Sequence, residues 1–201
     1  MSQEYRMKIS PIILALLLFA GCSVAADRPG TPEARYRELV KIVDRHTGFA
    51  HFTRGMNRYT VEALLKAVGE NDIPVLLKML EDKDRIVVMT AVNVLMRMGA
   101  QGRRSVYATL MTTADKECRD TITDQLKDIP YDLTVKFGIP GWTDDIPVLK
   151  RMADSRDLRI IWAARDLMKA MGEPGKAAIR EVLAATKNER TRDMLREGAG
   201  R

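Results

Sequence analysis

The chain has 201 residues, 46% of them hydrophobic, 30% charged and only 5% aromatic, with a formal net charge of +6. These proportions exclude a disordered or collagen-like chain, and the length allows either one domain with a real core or a short array of repeats. Few strand-forming alternations and many Ala, Leu, Met, Lys, Arg and Glu residues predict helices and almost no strand.

Arg6 and Lys8 precede the apolar run PIILALLLFA at residues 11–20, which is short for a permanent membrane span, so residues 1–21 read as an export signal. Removing Glu4, Arg6 and Lys8 with it takes the formal charge from +6 to +5. That balance admits an anionic partner or surface, while export argues against nucleic acid. The junction Phe19-Ala20-Gly21-Cys22 resembles the lipobox of bacterial lipoproteins, with Phe19 where that family usually has Leu. The resemblance implies that Cys22 is lipidated and becomes the new N-terminus. It also implies a membrane-held protein facing the periplasm, with Ser23 favouring the outer membrane. Cleavage after Ala25 or Ala26, for which the flanking small residues are suited, would instead give a soluble periplasmic or secreted protein. By either route Cys118 is left without an internal disulfide partner, and it reads as a small buried residue of a helix.

Residues 22–31 form a tether, Thr31-Pro32-Glu33 is a good helix start with Thr31 as cap, and residues 32–71 are predicted to hold an N-terminal helical pair. The first helix is expected from Pro32 to Arg45, with Tyr36, Leu39, Val40 and Val43 on one face, and the second from Thr60 to Val68. His46 and His51 lie between them near Asp44, but their spacing matches no common ligand motif, so no metal site is assigned.

From Asp72 the sequence repeats itself. At an offset of 73 residues, 72–122 pairs with 145–195 without a gap, and 15 of the 51 pairs are identical, among them Asp72/Asp145, Pro74/Pro147, Gly99/Gly172 and Gly102/Gly175. Each copy predicts two helical hairpins. Asp72 and Asp145 read as helix caps with Pro in the first turn, and Asp82/Asp84 and Ser155/Asp157 as turn and capping residues. The expected helices in the first copy are Arg85–Met98, Arg103–Thr113 and Lys116–Lys127, and in the second Lys176–Thr186 and Glu189–Arg196 follow the equivalent of the first. The boundaries are thus 72–127 for one module, 128–144 for a connecting loop, 145–196 for the other module and 197–201 for a tail.

Val87, Ala91, Leu95 and Gly99, with Ile160, Ala164, Met168 and Gly172 in the second copy, resemble the second helix of bacterial HEAT-like repeats. Val88 and Ile161 stand where that family has Arg, and Met96 and Lys169 where it has an internal Gly. The resemblance implies an all-α fold, a short right-handed, armadillo-like α-solenoid of about four to five hairpins, with the second helices lining the concave side.

Helical spacing places Val87, Ala91, Val94, Leu95 and Met98 on the core side of the first copy, leaving Arg85, Met89, Asn93 and Met96 opposite. The equivalents are Leu158, Trp162, Asp166 and Lys169. Met89, Asn93, Met96, Trp162, Asp166 and Lys169 are therefore the candidate partner-binding residues, with Arg85, Arg159 and Arg165 framing the apolar ones. In the connecting stretch Tyr131, Phe137 and Trp142 either cover a groove between hairpins or make contacts of their own. Ten methionines remain after the signal, but only Met96-Arg97-Met98 has Met-x-Met spacing, so core filling is preferred over copper binding. No nucleophile, base and oxyanion group can be assembled, and no metal or cofactor is expected. The resulting expectation is a membrane-tethered interaction or scaffold module for a protein partner at the bacterial cell envelope. The alternative is an envelope enzyme or ligand carrier with residues 128–145 as a lid.

Overall fold

The computed structural model describes residues 30–47, 56–131 and 142–199. Among these residues are ten α-helices and no strand. They are α1 (Pro32–Thr47), α2 (Met56–Ala67), α3 (Ile73–Met79), α4 (Arg85–Arg97) and α5 (Ala100–Thr112). They continue with α6 (Lys116–Tyr131), α7 (Ile146–Ala153), α8 (Leu158–Ala170), α9 (Glu173–Ala185) and α10 (Glu189–Ala199). Short 3-10 turns, Glu70–Asp72 and Trp142–Asp145, lead into α3 and α7.

The duplication survives as geometry, because Ile73/Ile146, Arg85/Leu158, Ala100/Glu173 and Lys116/Glu189 begin equivalent helices 73 residues apart. Several helices exceed their sequence-predicted limits. α2 begins four residues early at Met56, α5 and α9 each begin three residues early, and α6 runs to Tyr131 through Pro130. A proline so close to a helix end is tolerated because only one carbonyl, that of Leu126, loses its amide donor.

Helices pack in two layers. The odd-numbered helices contact their odd neighbours in order from α1 to α9, the even-numbered helices contact theirs from α2 to α10, and α1–α2, α7–α8 and α9–α10 also pack as hairpins. One continuous apolar core extends from Leu39 in α1 to Leu195 in α10. Such continuity follows from the amphipathic pattern, since no single hairpin can remove its own apolar stripe from water.

Two shared glycines set how closely α5 and α9 approach the helix before them. A Cβ at Gly102 would lie 2.1 Å from the Leu95 carbonyl oxygen, and one at Gly175 would lie 1.7 Å from that of Met168. Gly99 and Gly172 make the preceding turns at φ values of +86° and +69°, where other residues are strained.

Asp72 and Asp145 stand at the start of α3 and α7, yet neither caps its helix with its side chain. Asp72 accepts from the Gly69 amide at 2.9 Å and from Arg35 of α1, whose Nε is 2.9 Å away. Asp145 accepts from Arg103 of α5. Arg35 and Arg103 are both fourth residues of their helices, so the same contact joins an odd helix to the next one twice. The expected capping role of Asp72 and Asp145 is corrected accordingly: a guanidinium competes for the carboxylate and makes a charge-assisted bond, stronger than one to a neutral amide. Asp84 and Asp157 do cap, accepting from the amides of Ile86 and Arg159 at 2.8 and 2.9 Å.

Where α5 presents Arg103 and Tyr107, both buried, α9 presents Lys176 and the exposed Arg180. Among the described residues both of these pair with Glu173 of their own helix, at 3.1 and 3.8 Å. This face of α9 is therefore more polar and more exposed than the equivalent face of α5.

Candidate functional site

The even-numbered layer carries the partner-binding candidates, and the structure separates them by exposure. Trp162 of α8 is 40% exposed, while its equivalent Met89 of α4 is half-buried. Asn93 is half-buried and its side-chain amide donates back to the Met89 carbonyl at 2.9 Å, so it is turned toward its own helix. Asp166 is half-buried and Lys169 is exposed. Met96 is fully buried, which corrects its assignment to the exposed side. Val88, Val92 and Met96 form a second apolar stripe on α4, and that helix packs against α1, α2, α3, α5 and α6, so more than one of its faces is covered. In α8 the same stripe reads Ile161, Arg165 and Lys169, and only Ile161 is fully buried. Met98, expected in the core, is half-buried at its edge.

The arginines around Trp162 are engaged. Arg159 pairs with Asp120 of α6. Arg165 contacts Asp166 at 2.9 Å, Glu197 at 3.1 Å and the Met194 carbonyl at 3.2 Å. Arg119 in turn bonds Asp157 at 3.1 Å, so α6 and the start of α8 exchange two ion pairs of opposite sense. Arg85 reaches Asp124 of α6 at 3.4 Å. Of these cations and Lys169, only Lys169 has no ion-pair partner among the described residues. A large, partly exposed amphipathic ring suits a binding contact, since it brings much apolar area with few rotatable bonds.

The connecting stretch behaves differently. Trp142 is only 6% exposed, and the Arg103 guanidinium lies 5.6 Å from the centre of its ring. Arg103, Asp145 and Tyr107 are buried with it, and the Tyr107 hydroxyl donates to Asp145 across 3.4 Å. Burial, reinforced by the Asp145 carboxylate, pushes the Tyr107 phenol far above its ordinary range. Trp142 thus belongs to the α5–α7 junction and is not an exposed contact. Phe137 and the side chain of Tyr131 lie outside the described residues, as do Cys22 and His51.

Cys118 is buried, its thiol donates to the Leu80 carbonyl at 3.0 Å, and burial pushes its pKa up, so the thiolate needed for redox chemistry is disfavoured. His46 is exposed, with Nδ1 2.9 Å from the Ile42 carbonyl. Among the described residues there is no group of three or more His, Cys, Asp or Glu able to hold a metal, and no helix long and apolar enough to cross a membrane. No protein-family model matches the chain, and no curated protein is similar to it.

Proposed function

We propose that the chain is a membrane-tethered helical-repeat protein that docks a partner protein at the bacterial cell envelope. Its ten helices would stack as a short HEAT-like solenoid, with the even-numbered layer as the recognition side and Cys22 as the lipid anchor. The observation that carries this reading is the 40% exposed indole of Trp162 on α8, the helix whose Arg159 and Arg165 pair with Asp120 of α6 and Glu197 of α10. Met89 at the same position of the first copy is more covered, so the recognition surface is centred on the second copy.

The mechanism is rigid-body docking. The partner removes the Trp162 ring from water, Lys169 supplies a charge at the rim, and the pre-formed Arg159–Asp120 and Arg165–Glu197 contacts avoid the cost of ordering those side chains on binding. Trp162→Ala should leave folding intact and abolish co-purification of an envelope protein with the full chain. An unchanged co-purification profile would contradict the reading. Mass spectrometry of the mature N-terminus tests the anchor separately: acylated Cys22 supports it, and an unmodified start at Ala26 or Asp27 removes it.

A further inference from the structure

A groove of about 310 Å³ lies between α5 and α7 in the odd-numbered layer, the layer that does not carry Trp162. Its lining combines Ala108, Met111, Pro147 and Val148 with Arg104, Arg151 and Asp144. Met111 is 39% exposed and contributes apolar surface to this groove.

The equivalent seam between α1 and α3 shows what this groove lacks. The Arg35–Asp72 and Arg103–Asp145 contacts put α1 and α5 in the same register, so Glu33 corresponds to Gln101 and Tyr36 to Arg104. The 73-residue offset makes Lys78 the counterpart of Arg151. At the α1–α3 seam, Lys78 bonds Glu33 at 2.6 Å and lies 5.3 Å from the centre of the Tyr36 ring. The α7–α9 seam is likewise closed by Lys150 and Glu181. At the α5–α7 seam the carboxylate is replaced by neutral Gln101 and the covering tyrosine by a second cation, Arg104. Among the described residues neither Arg104 nor Arg151 has an ion-pair partner. Asp144 is the one carboxylate of the rim, so the three charged side chains sum to +1.

We infer that this groove is a docking site for an acidic peptide segment of a partner protein, one that sets an apolar side chain on Met111 and Val148 and brings the carboxylates that Arg104 and Arg151 lack. Two guanidinium groups lining the groove together with apolar side chains suit a segment that combines carboxylates with an apolar residue, and the Arg fork favours carboxylate geometry. The site stands apart from Trp162, so it does not depend on the recognition surface proposed above.

The test is fluorescence anisotropy with a fluorescein-labelled peptide whose Glu-Leu-Glu core is flanked by Gly and Ser, titrated with the purified full chain. Saturable binding that weakens with salt is expected, with Kd rising at least tenfold for the Arg104→Gln, Arg151→Gln double variant. Asp144→Asn should tighten binding several-fold, and Trp162→Ala should leave it unchanged, so that failure here and failure at Trp162 are read separately. All the substituted side chains are exposed, and an unchanged circular dichroism melt verifies that each variant is folded. Absence of saturable binding, equal binding of a Gln-Leu-Gln peptide, or indifference to the double variant would overturn the proposal. So would arginine-dependent binding of phosphatidylglycerol vesicles in place of the peptide, since that would make the groove a lipid contact.

Discussion

Arg103 of α5 and Asp145 at the start of α7 form an ion pair from which water is excluded, the two residues being 1% and 0% exposed. Arg35 and Asp72 make the same contact earlier in the chain with side chains 13% and 11% exposed, and Arg35 also holds Glu38 at 2.7 Å and the Ala67 carbonyl at 2.5 Å. The two junctions share a design and differ in burial, and the consequences of breaking them differ accordingly. Asp145→Ala removes a fully buried carboxylate bonded to a buried guanidinium and should cost about 3–5 kcal/mol. Asp72→Ala leaves Arg35 with its other partners and should cost about 1–2 kcal/mol. Replacing Arg103 by Met together with Asp145 by Leu should recover most of the larger loss, because removing both charges also removes their desolvation. Urea unfolding of the variants checks the order, and equal losses at the two junctions would refute it.

The glycine contacts make a second prediction. Gly175→Ala forces a methyl group into the Met168 carbonyl and should destabilise by about 3 kcal/mol or more, since the obstacle is backbone. Gly69→Ala meets nothing within 4 Å and should change stability by no more than about 0.5 kcal/mol. Thermal melts of the two variants compare them directly.

Alkaline pH offers a third. The Tyr36 hydroxyl donates to Asp82, and that bond, with partial burial, pushes its pKa up to about 12 from 10.0. The folded state therefore favours the neutral phenol. Its contribution to stability is complete below pH 10 and is lost as pH rises through 12, the sign expected for an acid whose pKa is raised on folding. Tyr36→Phe should flatten the fall in stability over that window, and absorbance at 295 nm should lose a component titrating near pH 12.

Burial separates two residues that sequence spacing had grouped. Met96→Ala should cost about 2–5 kcal/mol, as a core truncation does, while Trp162→Ala should cost about 1 kcal/mol or less. Chemical denaturation of both variants tests the assignment of faces.

The helices were legible in the sequence because the 73-residue duplication fixes equivalent starts, and because Asp84 and Asp157 cap as their positions suggest. Met96 was misplaced because one buried face was assumed for α4. The apolar stripe of Val88, Val92 and Met96, set against Ile161, Arg165 and Lys169, was the available sign that this helix is covered on more than one face. The partners of Asp72 and Asp145 were not legible, since they come from helices 37 and 42 residues away and local spacing gives no long-range pairing. For Trp142 composition left both a groove-covering and a contact role open, and its burial beside the Arg103 guanidinium at the α5–α7 junction agrees with the first. The exposure of Trp162 followed from helical period alone.

The central claim is that a partner docks on Trp162, and photo-crosslinking from that position in cells tests it most directly. With benzoylphenylalanine at position 162 of the full chain, one discrete adduct with an envelope protein should form, and none should form from Ala184, an exposed residue of α9. No adduct at 162, or the same adducts from 162 and 184, would contradict the account.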